Sequence, residues 1–205
     1  MGNTVSTRER ILREGLNLMS IAGFAGVTLG VLAEKTRLSK SGLFAHFGSK
    51  EEVQLGILDQ LALANAQTIV APAMQAPEGL SRLKEVVHNW LGWSAKAGLA
   101  GGCPVAAGLF ELDDLEGKVR NRLLVRETEW REFLATLTKA AIVNRELRPT
   151  LDVDQFVWEL QGIYLSHHAS SRFTRDPDAD KRAHAAFDRL LQDALLPQKK
   201  PKRLA

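Results

Sequence analysis

Two short helical patterns separated by a tight polar break dominate the N-terminal quarter of this chain. Residues 28–47 read TLGVLAEKTRLSKSGLFAHF, and GSKE follows them. Thr28 and Ser39 stand where helix N-caps are expected, because their hydroxyl oxygens can accept hydrogen bonds from the first turn of a helix. The arrangement predicts a helix-turn-helix, whose second helix would enter the major groove of DNA. The pattern therefore favours sequence-specific DNA binding over catalysis.

The second of these helices is expected to bury Leu43 and Phe47, which lie four residues apart on one face. Short side chains at Ser41, Gly42 and Ala45 would let the opposite face approach base edges closely. Candidate polar contacts with bases or phosphates come from four further residues: Thr28, Lys40, His46 and Lys50. Caps and a few basic residues also occur in ordinary helical hairpins, so this pattern alone leaves a purely structural interpretation open.

The distribution of charge also favours a polyanion as partner of the N-terminal region. Residues 1–50 hold seven Lys or Arg against three Glu, and the tail from Gln198 holds four basic residues and no acid. The net charge is only +3, so the residues in between are acidic overall. A single cysteine, Cys103, excludes an intramolecular disulfide and predicts a reducing, cytoplasmic environment. No apolar run reaches the roughly 20 residues needed to span a bilayer, so we expect no membrane partner.

Hydrophobic residues recur with a period near 3.6 and never alternate for long, which predicts an all-α protein. We expect a first helix that ends near residue 22, before Gly23, and two short helices after Thr28 and Ser39. The remaining helices are predicted at about 49–70, 78–96, 104–112, 115–147 and 153–173, and in a last segment that ends near 196. The expected domains are a DNA-binding domain at 1–48, a helical domain at 49–197 and a disordered basic tail at 198–205.

The segment from Arg8 to Leu58 resembles the N-terminal domain of the TetR family of bacterial transcription regulators. The shared signature comprises Thr28, Leu32-Ala33, Leu38 to Leu43, His46-Phe47 and Ser49-Lys50-Glu51 in this order and spacing. The resemblance implies a three-helix helix-turn-helix domain followed by a larger helical domain for ligand binding and dimerisation. It further implies a homodimeric repressor that binds a palindromic double-stranded DNA operator and is released by a small-molecule effector, with no enzymatic activity and no cofactor.

The resemblance also implies roles for individual residues. Phosphate contacts fall on Thr28, Phe44 and Lys50, whereas the base edges are lined by Lys40, Ser41, Gly42, Ala45 and His46. The sequence departs from the family pattern at three places. Phe44 replaces the usual tyrosine, Arg37 replaces a common turn glycine and can add a phosphate contact, and Gly30 lies inside a helix.

In the larger domain, aromatic and polar residues are candidates for an effector pocket. The candidate ligand-binding residues are His88, Trp90, Trp93, Phe110, Trp130, Phe133, Trp158, Gln161 and Tyr164, with Asn89 and His167 as further polar anchors. Apolar stripes on the last two long helices are candidates for the dimer interface: Phe156, Leu160, Ala183, Phe187, Leu190, Leu191 and Ala194. Each of these residues has an alternative interpretation as ordinary core.

The sequence holds no arrangement typical of a metal site or of nucleophilic catalysis. His167 and His168 are adjacent and would diverge by about 100° on a helix, and Cys103 has no second cysteine near it. Two alternatives to the regulator remain open. One is a helical binding protein or enzyme that has lost DNA binding, and the other is a DNA-binding protein without an effector. A redox role of Cys103 is a further open possibility.

Overall fold

Helices account for nearly all of the regular structure in residues 6–196, the part of the chain that the computed structural model describes. The α-helices are α1 Thr7–Gly26, α2 Leu29–Thr36, α3 Lys40–Phe47, α4 Lys50–Asn65, α5 Ala71–Ala73, α6 Leu80–Trp90, α7 Trp93–Lys96, α8 Pro104–Glu111, α9 Lys118–Val143, α10 Val153–Ala169 and α11 Ala179–Ala194. Two π-helical turns, Ala66–Val70 and Ser170–Thr174, extend α4 and α10.

The described residues contain no β-strand, and the predicted all-α class is confirmed. Between residues 6 and 196, no helix is both long enough and apolar enough to cross a membrane. The same range contains no cluster of three His, Cys, Asp or Glu that could hold a metal ion. The basic tail predicted at 198–205 lies outside the described residues.

Each of the first three helices begins after a residue whose hydroxyl caps it, and the sequence predicts two of these caps, Thr28 and Ser39. The Ser6 hydroxyl oxygen accepts from the Glu9 amide at 3.1 Å, and the Ser39 hydroxyl oxygen accepts from the Gly42 amide at 3.0 Å. Thr28 caps α2 in the same way. Each cap supplies an acceptor for an amide that has no partner within its helix, and it thereby fixes where the helix starts. The start of each of these helices therefore follows directly from local sequence.

Gly23 interrupts α1 rather than ending it. Its backbone has φ 67° and ψ −170°, a conformation that favours glycine, and helical geometry resumes beyond it as far as Gly26. A single turn of helix thus follows the kink, and the amides of Phe24 and Ala25 have no carbonyl of the preceding turn to bond. Their actual partner comes from a distant helix, as described below.

Helix α4 joins the N-terminal helices to the rest of the protein. Gly15 of α1 and Gly56 of α4 lie at the contact between the two helices, where an added Cβ would collide with Ile57 and Leu12 respectively. On its other side α4 packs against the long helix α9. The domain boundary predicted between residues 48 and 49 falls in the turn between α3 and α4.

Two predicted helices are shorter than expected. The helix expected at 78–96 is broken, because Leu91 is extended and Gly92 adopts φ 72°, so that only the short α7 follows. The helix expected at 115–147 begins at Lys118, after Gly117 with φ 126°, and its C-terminal side ends where Arg145 adopts φ 60°. Isolated backbone positions with positive φ therefore set these boundaries.

The predicted dimer-interface residues require a correction, because most of them are buried within the protomer. Helices α10 and α11 pack against each other and against the body, and six of the seven residues form that intramolecular core. The buried residues are Phe156, Leu160, Ala183, Phe187, Leu191 and Ala194. Leu190 alone remains partly exposed. The apolar stripes of α10 and α11 therefore pack these two helices onto their own subunit.

Candidate DNA-binding surface and central cavity

The outward face of α3 carries every side chain expected to contact bases. Leu43 and Phe47 are buried, so the opposite side of this eight-residue helix faces solvent. The exposed residues there are Lys40, Ser41, Phe44, Ala45 and His46, and Gly42 is partly exposed. Phe44 is 54% exposed, a large apolar side chain with no place in the core. Such a surface is suited to a partner that covers it.

Three further residues flank this helix on the same module, and all are exposed: Thr28, Arg37 and Lys50. Arg37 ends α2 in the left-handed region, with φ 56° and ψ 37°. A non-glycine residue pays about 1 kcal/mol or more for this conformation. The exposed guanidinium therefore stands at a backbone position that lowers stability.

The Lys40 side chain lies beside Gly30 in the first turn of α2. An added Cβ at Gly30 would meet Lys40 Cε at 3.5 Å and Thr28 Oγ1 at 3.9 Å, which are ordinary contact distances. The Lys40 ammonium thus lies close to the N-terminus of α2 as well as on α3. The cation and the capped helix end together form one electropositive surface, because the helix dipole places partial positive charge at that end.

A cavity of about 230 Å³ lies in the larger helical unit, among α4, α6 to α10 and the π-helical turn after α4. Its walls are mostly apolar and aromatic. The Trp90 and Tyr164 rings stack with centroids 4.1 Å apart, and Trp130 meets Trp90 edge-on at 5.2 Å. The Trp93 indole N–H donates to the Tyr164 hydroxyl at 2.8 Å. Burial raises the pKa of Tyr164 far above its ordinary value, so this hydroxyl stays neutral.

The cavity gathers six of the nine candidate ligand-binding residues: Trp90, Trp93, Trp130, Phe133, Gln161 and Tyr164. The other three candidates require a correction, since the structure places them elsewhere. His88 packs against His184 with ring centroids 5.2 Å apart, while Phe110 and Trp158 are 69% and 64% exposed. Helical periodicity directs these side chains away from the cavity. The further anchors Asn89 and His167 do not line it either; His167 bonds Asp180 at 2.6 Å.

Cys103 lines the cavity at the start of α8, and it is buried. Burial raises the pKa of its thiol above the ordinary value, an effect opposed by hydrogen bonds from its surroundings. A buried neutral thiol is a poor nucleophile. These properties disfavour the redox role that the sequence left open.

Helix α8 touches both the cavity and the DNA-binding module. Both Glu111 carboxylate oxygens, at its C-terminal end, accept hydrogen bonds from α1: the amides of Phe24 and Ala25 donate at 2.8 and 2.6 Å. These are the two amides that the kink at Gly23 deprives of a helical partner. A carboxylate from α8 therefore caps the last turn of α1.

The loop before α8 makes a second connection to α1. The Gly102 amide donates to the Ser20 carbonyl at 2.9 Å, and the Gly101 amide donates to the Ser20 hydroxyl at 3.0 Å. An added Cβ at Gly101 would collide with the Ser20 backbone, so only glycine allows this approach. The Ala100 amide in the same loop also donates to Asn17 Oδ1 at 2.9 Å. Five hydrogen bonds, two from Glu111 and three from the loop before α8, thus attach this segment to α1.

Comparison with protein-family models supports the resemblance to the TetR family that the sequence shows. Residues 79–187, more than half of the chain, match the model described as the tetracyclin repressor-like C-terminal domain. The chain belongs to the TetR family. Residues 11–55 match the model of bacterial regulatory proteins of the tetR family, which contains the helix-turn-helix. The protein is therefore a DNA-binding transcriptional regulator and not an enzyme.

Two solved structures share the fold of this TetR regulator over nearly its whole length, and one relative is similar to it in sequence over about three quarters of the chain. A TetR-family transcriptional regulator from Cytophaga hutchinsonii is 22% identical with a TM-score of 0.80, over 94% of this chain and 96% of that one. AibR, solved in complex with isovaleryl coenzyme A and operator DNA, is 19% identical with a TM-score of 0.70, over 94% and 100%. The nucleoid occlusion factor SlmA of Alteromonas mediterranea is 26% identical over 152 residues, 73% of this chain and 74% of its own length.

Sequence reasoning missed several residues of this TetR regulator that connect or line its sites. Glu111 gave no signal, because one acidic residue at a helix end resembles any other. Gly101 and Gly102, before α8, could have signalled a close approach, but Ser20, the partner of Gly101, is 81 residues away. Asn65 and Arg126 line the cavity and lie on helices that look merely amphipathic in sequence.

Proposed function

We propose that this TetR regulator is a homodimeric repressor that binds a palindromic operator and is released by a small molecule in the central cavity. The observation that carries the proposal is the double attachment of α8. Val105, Ala106 and Leu109 of α8 line the cavity, together with Cys103, the residue that precedes the helix. Hydrogen bonds at both ends of α8 connect it to α1. An occupant of the cavity would therefore act on α8 and, through it, on the orientation of α2 and α3.

Release of DNA requires that the effector bind better to one orientation of the DNA-binding module than to another. In a dimer, a change in the separation of the two α3 helices weakens binding, because half-sites lie about 34–36 Å apart on one face of DNA. AibR, whose structure holds both an acyl coenzyme A and operator DNA, supports this combination of ligands in one such fold.

Dimerisation is proposed through the outer face of α10 and α11 rather than through the buried stripes. A groove there is lined by exposed or half-exposed apolar residues: Trp158, Ile163, Ala186 and Leu190, with Gly162 between them. Exposed apolar residues among polar ones such as Glu159 and Arg189 suit a two-fold pairing in which both copies use the same face. Trp158→Glu is expected to give a monomer in light scattering after gel filtration, whereas Phe173→Glu, at a residue that is 89% exposed outside the groove, leaves the mass unchanged.

A mobility-shift assay on the region upstream of the protein's own gene tests the proposal. We expect a specific complex whose affinity falls steeply with salt, because phosphate contacts release counterions. Absence of such a complex would favour the alternative, a helical ligand-binding protein that has lost DNA binding. A specific complex that no cavity ligand releases would favour a DNA-binding protein without an effector.

A further inference from the structure

Unpaired polar atoms in the cavity indicate which chemistry its occupant carries. Among the side chains of residues 6–196, five buried nitrogen or oxygen atoms lack a hydrogen-bond partner, and four belong to residues that line the cavity. They are Arg126 Nε, Trp130 Nε1, Gln161 Nε2 and Asn65 Oδ1. Buried polar groups in proteins are nearly always paired, so their concentration here points to a missing partner. Three of the four are donors.

The aromatic walls limit the shape of the occupant. Trp90, Trp130 and Phe133 form successive ring contacts, with Trp130 and Phe133 centroids 5.5 Å apart. A cavity of ~150 Å³ holds one benzene ring. The cavity here, at about 230 Å³, is larger and suits a molecule of about two rings. Flat rings also make favourable offset or edge contacts with such walls. The apolar part of the occupant is therefore expected to be a compact, flat ring system.

The charges around the cavity disfavour an ionic occupant. Arg126 is the single cation in the wall, and its terminal nitrogens already bond Glu129 at 3.0 Å and Asp59 at 3.2 Å. Glu127, also in the wall, bonds Arg131 at 2.9 Å, and burial raises the pKa of its carboxyl. No uncompensated positive charge among these groups would balance a carboxylate. An ammonium group would meet three unpaired donors and one unpaired acceptor, because the Glu127 and Glu129 carboxylates already bond Arg131 and Arg126.

We infer that the cavity takes a neutral, flat ring compound that carries a carbonyl-type acceptor for the donors of Trp130, Gln161 and Arg126. The inference concerns only which ligand binds in the cavity. That binding of this ligand releases DNA rests on the proposed function. Asn65 Oδ1 supplies the single unpaired acceptor and would suit a hydroxyl group elsewhere on the same molecule.

Four probes of nearly equal shape test the inference by calorimetry with the full-length protein and no DNA. They are 2-acetylnaphthalene, 2-isopropylnaphthalene, 1-(2-naphthyl)ethylamine and 2-naphthoate. We expect the ketone to bind about tenfold more tightly than the hydrocarbon, since one hydrogen bond gained in a buried site is worth about that factor. The amine and the carboxylate should bind more weakly than the ketone. Equal or tighter binding of any of these three, or no binding of the ketone at its solubility limit, would overturn the inference.

Two variants locate the selectivity. Trp130→Phe keeps the aromatic wall and removes one donor, and Gln161→Met keeps the volume and removes another. Each is expected to reduce the ratio of ketone to hydrocarbon affinity by about threefold or more while the hydrocarbon binds as before. Gln155→Met is the matched control, because Gln155 lies on the same helix but is exposed and bonds Glu159 at 2.8 Å. An unchanged ratio in the two cavity variants would refute the assignment of the donors.

The outcomes separate this inference from the proposed function. Absence of a specific DNA complex would refute the proposed repressor function, and the calorimetric comparison of the probes would remain valid. A protein that binds its operator and is released by a charged molecule, with no preference for the ketone, refutes the cavity chemistry and leaves the repressor standing.

Discussion

Removal of the Glu111 carboxylate is expected to loosen the end of α1 from the body of the protein. Glu111→Ala deletes both acceptors of the Phe24 and Ala25 amides, and Glu111→Gln leaves one neutral acceptor. Because Gly23 interrupts the helix, these amides have no carbonyl of the preceding turn to take over. Both amides would be left to water in Glu111→Ala, and one of them in Glu111→Gln.

The size of the effect follows from the two bonds. A hydrogen bond to a charged group contributes about 1.5–3 kcal/mol, and a partly exposed carboxylate such as Glu111 retains the lower part of that range. We therefore expect the free energy of unfolding to fall by about 2–3 kcal/mol in Glu111→Ala and by about 1–2 kcal/mol in Glu111→Gln. Helix propensity adds no further cost, because alanine is the residue that a helix favours most.

Urea denaturation measures the global change, and amide hydrogen exchange measures the local one. The Phe24 and Ala25 amides should exchange faster in both variants, with amides in the middle of α9 affected much less. Glu116→Gln serves as the control, because it removes an exposed carboxylate from the following loop and should change stability by less than about 0.5 kcal/mol. A loss of less than about 0.5 kcal/mol in Glu111→Ala, with unchanged exchange at both amides, would refute the reasoning.

Three further predictions concern the DNA-binding surface and pH. Lys40→Ala should reduce discrimination between operators, whereas Lys50→Ala should weaken binding to all DNA alike and lower the salt slope in mobility shifts; equal losses of both kinds would contradict a base-reading role of Lys40. Arg37→Gly should raise the free energy of unfolding by about 0.5–1 kcal/mol, since glycine adopts the left-handed turn without strain, and should weaken DNA binding; denaturation and titration measure the two effects, and a destabilised variant would contradict the first. Burial, with Arg172 beside it, lowers the pKa of His168, so the unfolded chain binds this proton more tightly than the folded one. The free energy of unfolding should therefore be highest above about pH 6.5 and decrease as the pH falls below that value. His168→Gln should make urea midpoints less dependent on pH, and an unchanged dependence would contradict this reasoning.

Local chemistry in the sequence was enough to predict the N-terminal module. Thr28 and Ser39 cap their helices whatever surrounds them, because the acceptor and the amide lie within three residues of each other. The spacing of Leu43 and Phe47 then decides which face of α3 is buried and which is exposed. The all-α class follows from the same short-range periodicity.

Tertiary structure decided everything that depends on residues far apart in the chain. The apolar stripes on the last two helices, Phe187 among them, were visible in sequence, but a stripe does not reveal whether its own subunit or a second copy covers it. Likewise, Trp130 and Trp158 look alike in sequence, and only packing directs one into the cavity and the other to solvent. Glu111 is the clearest case, because its role depends on a kink 88 residues earlier that brings two unpaired amides to it. Sequence determines what lies within one helical turn; long-range packing determines which of those groups meet.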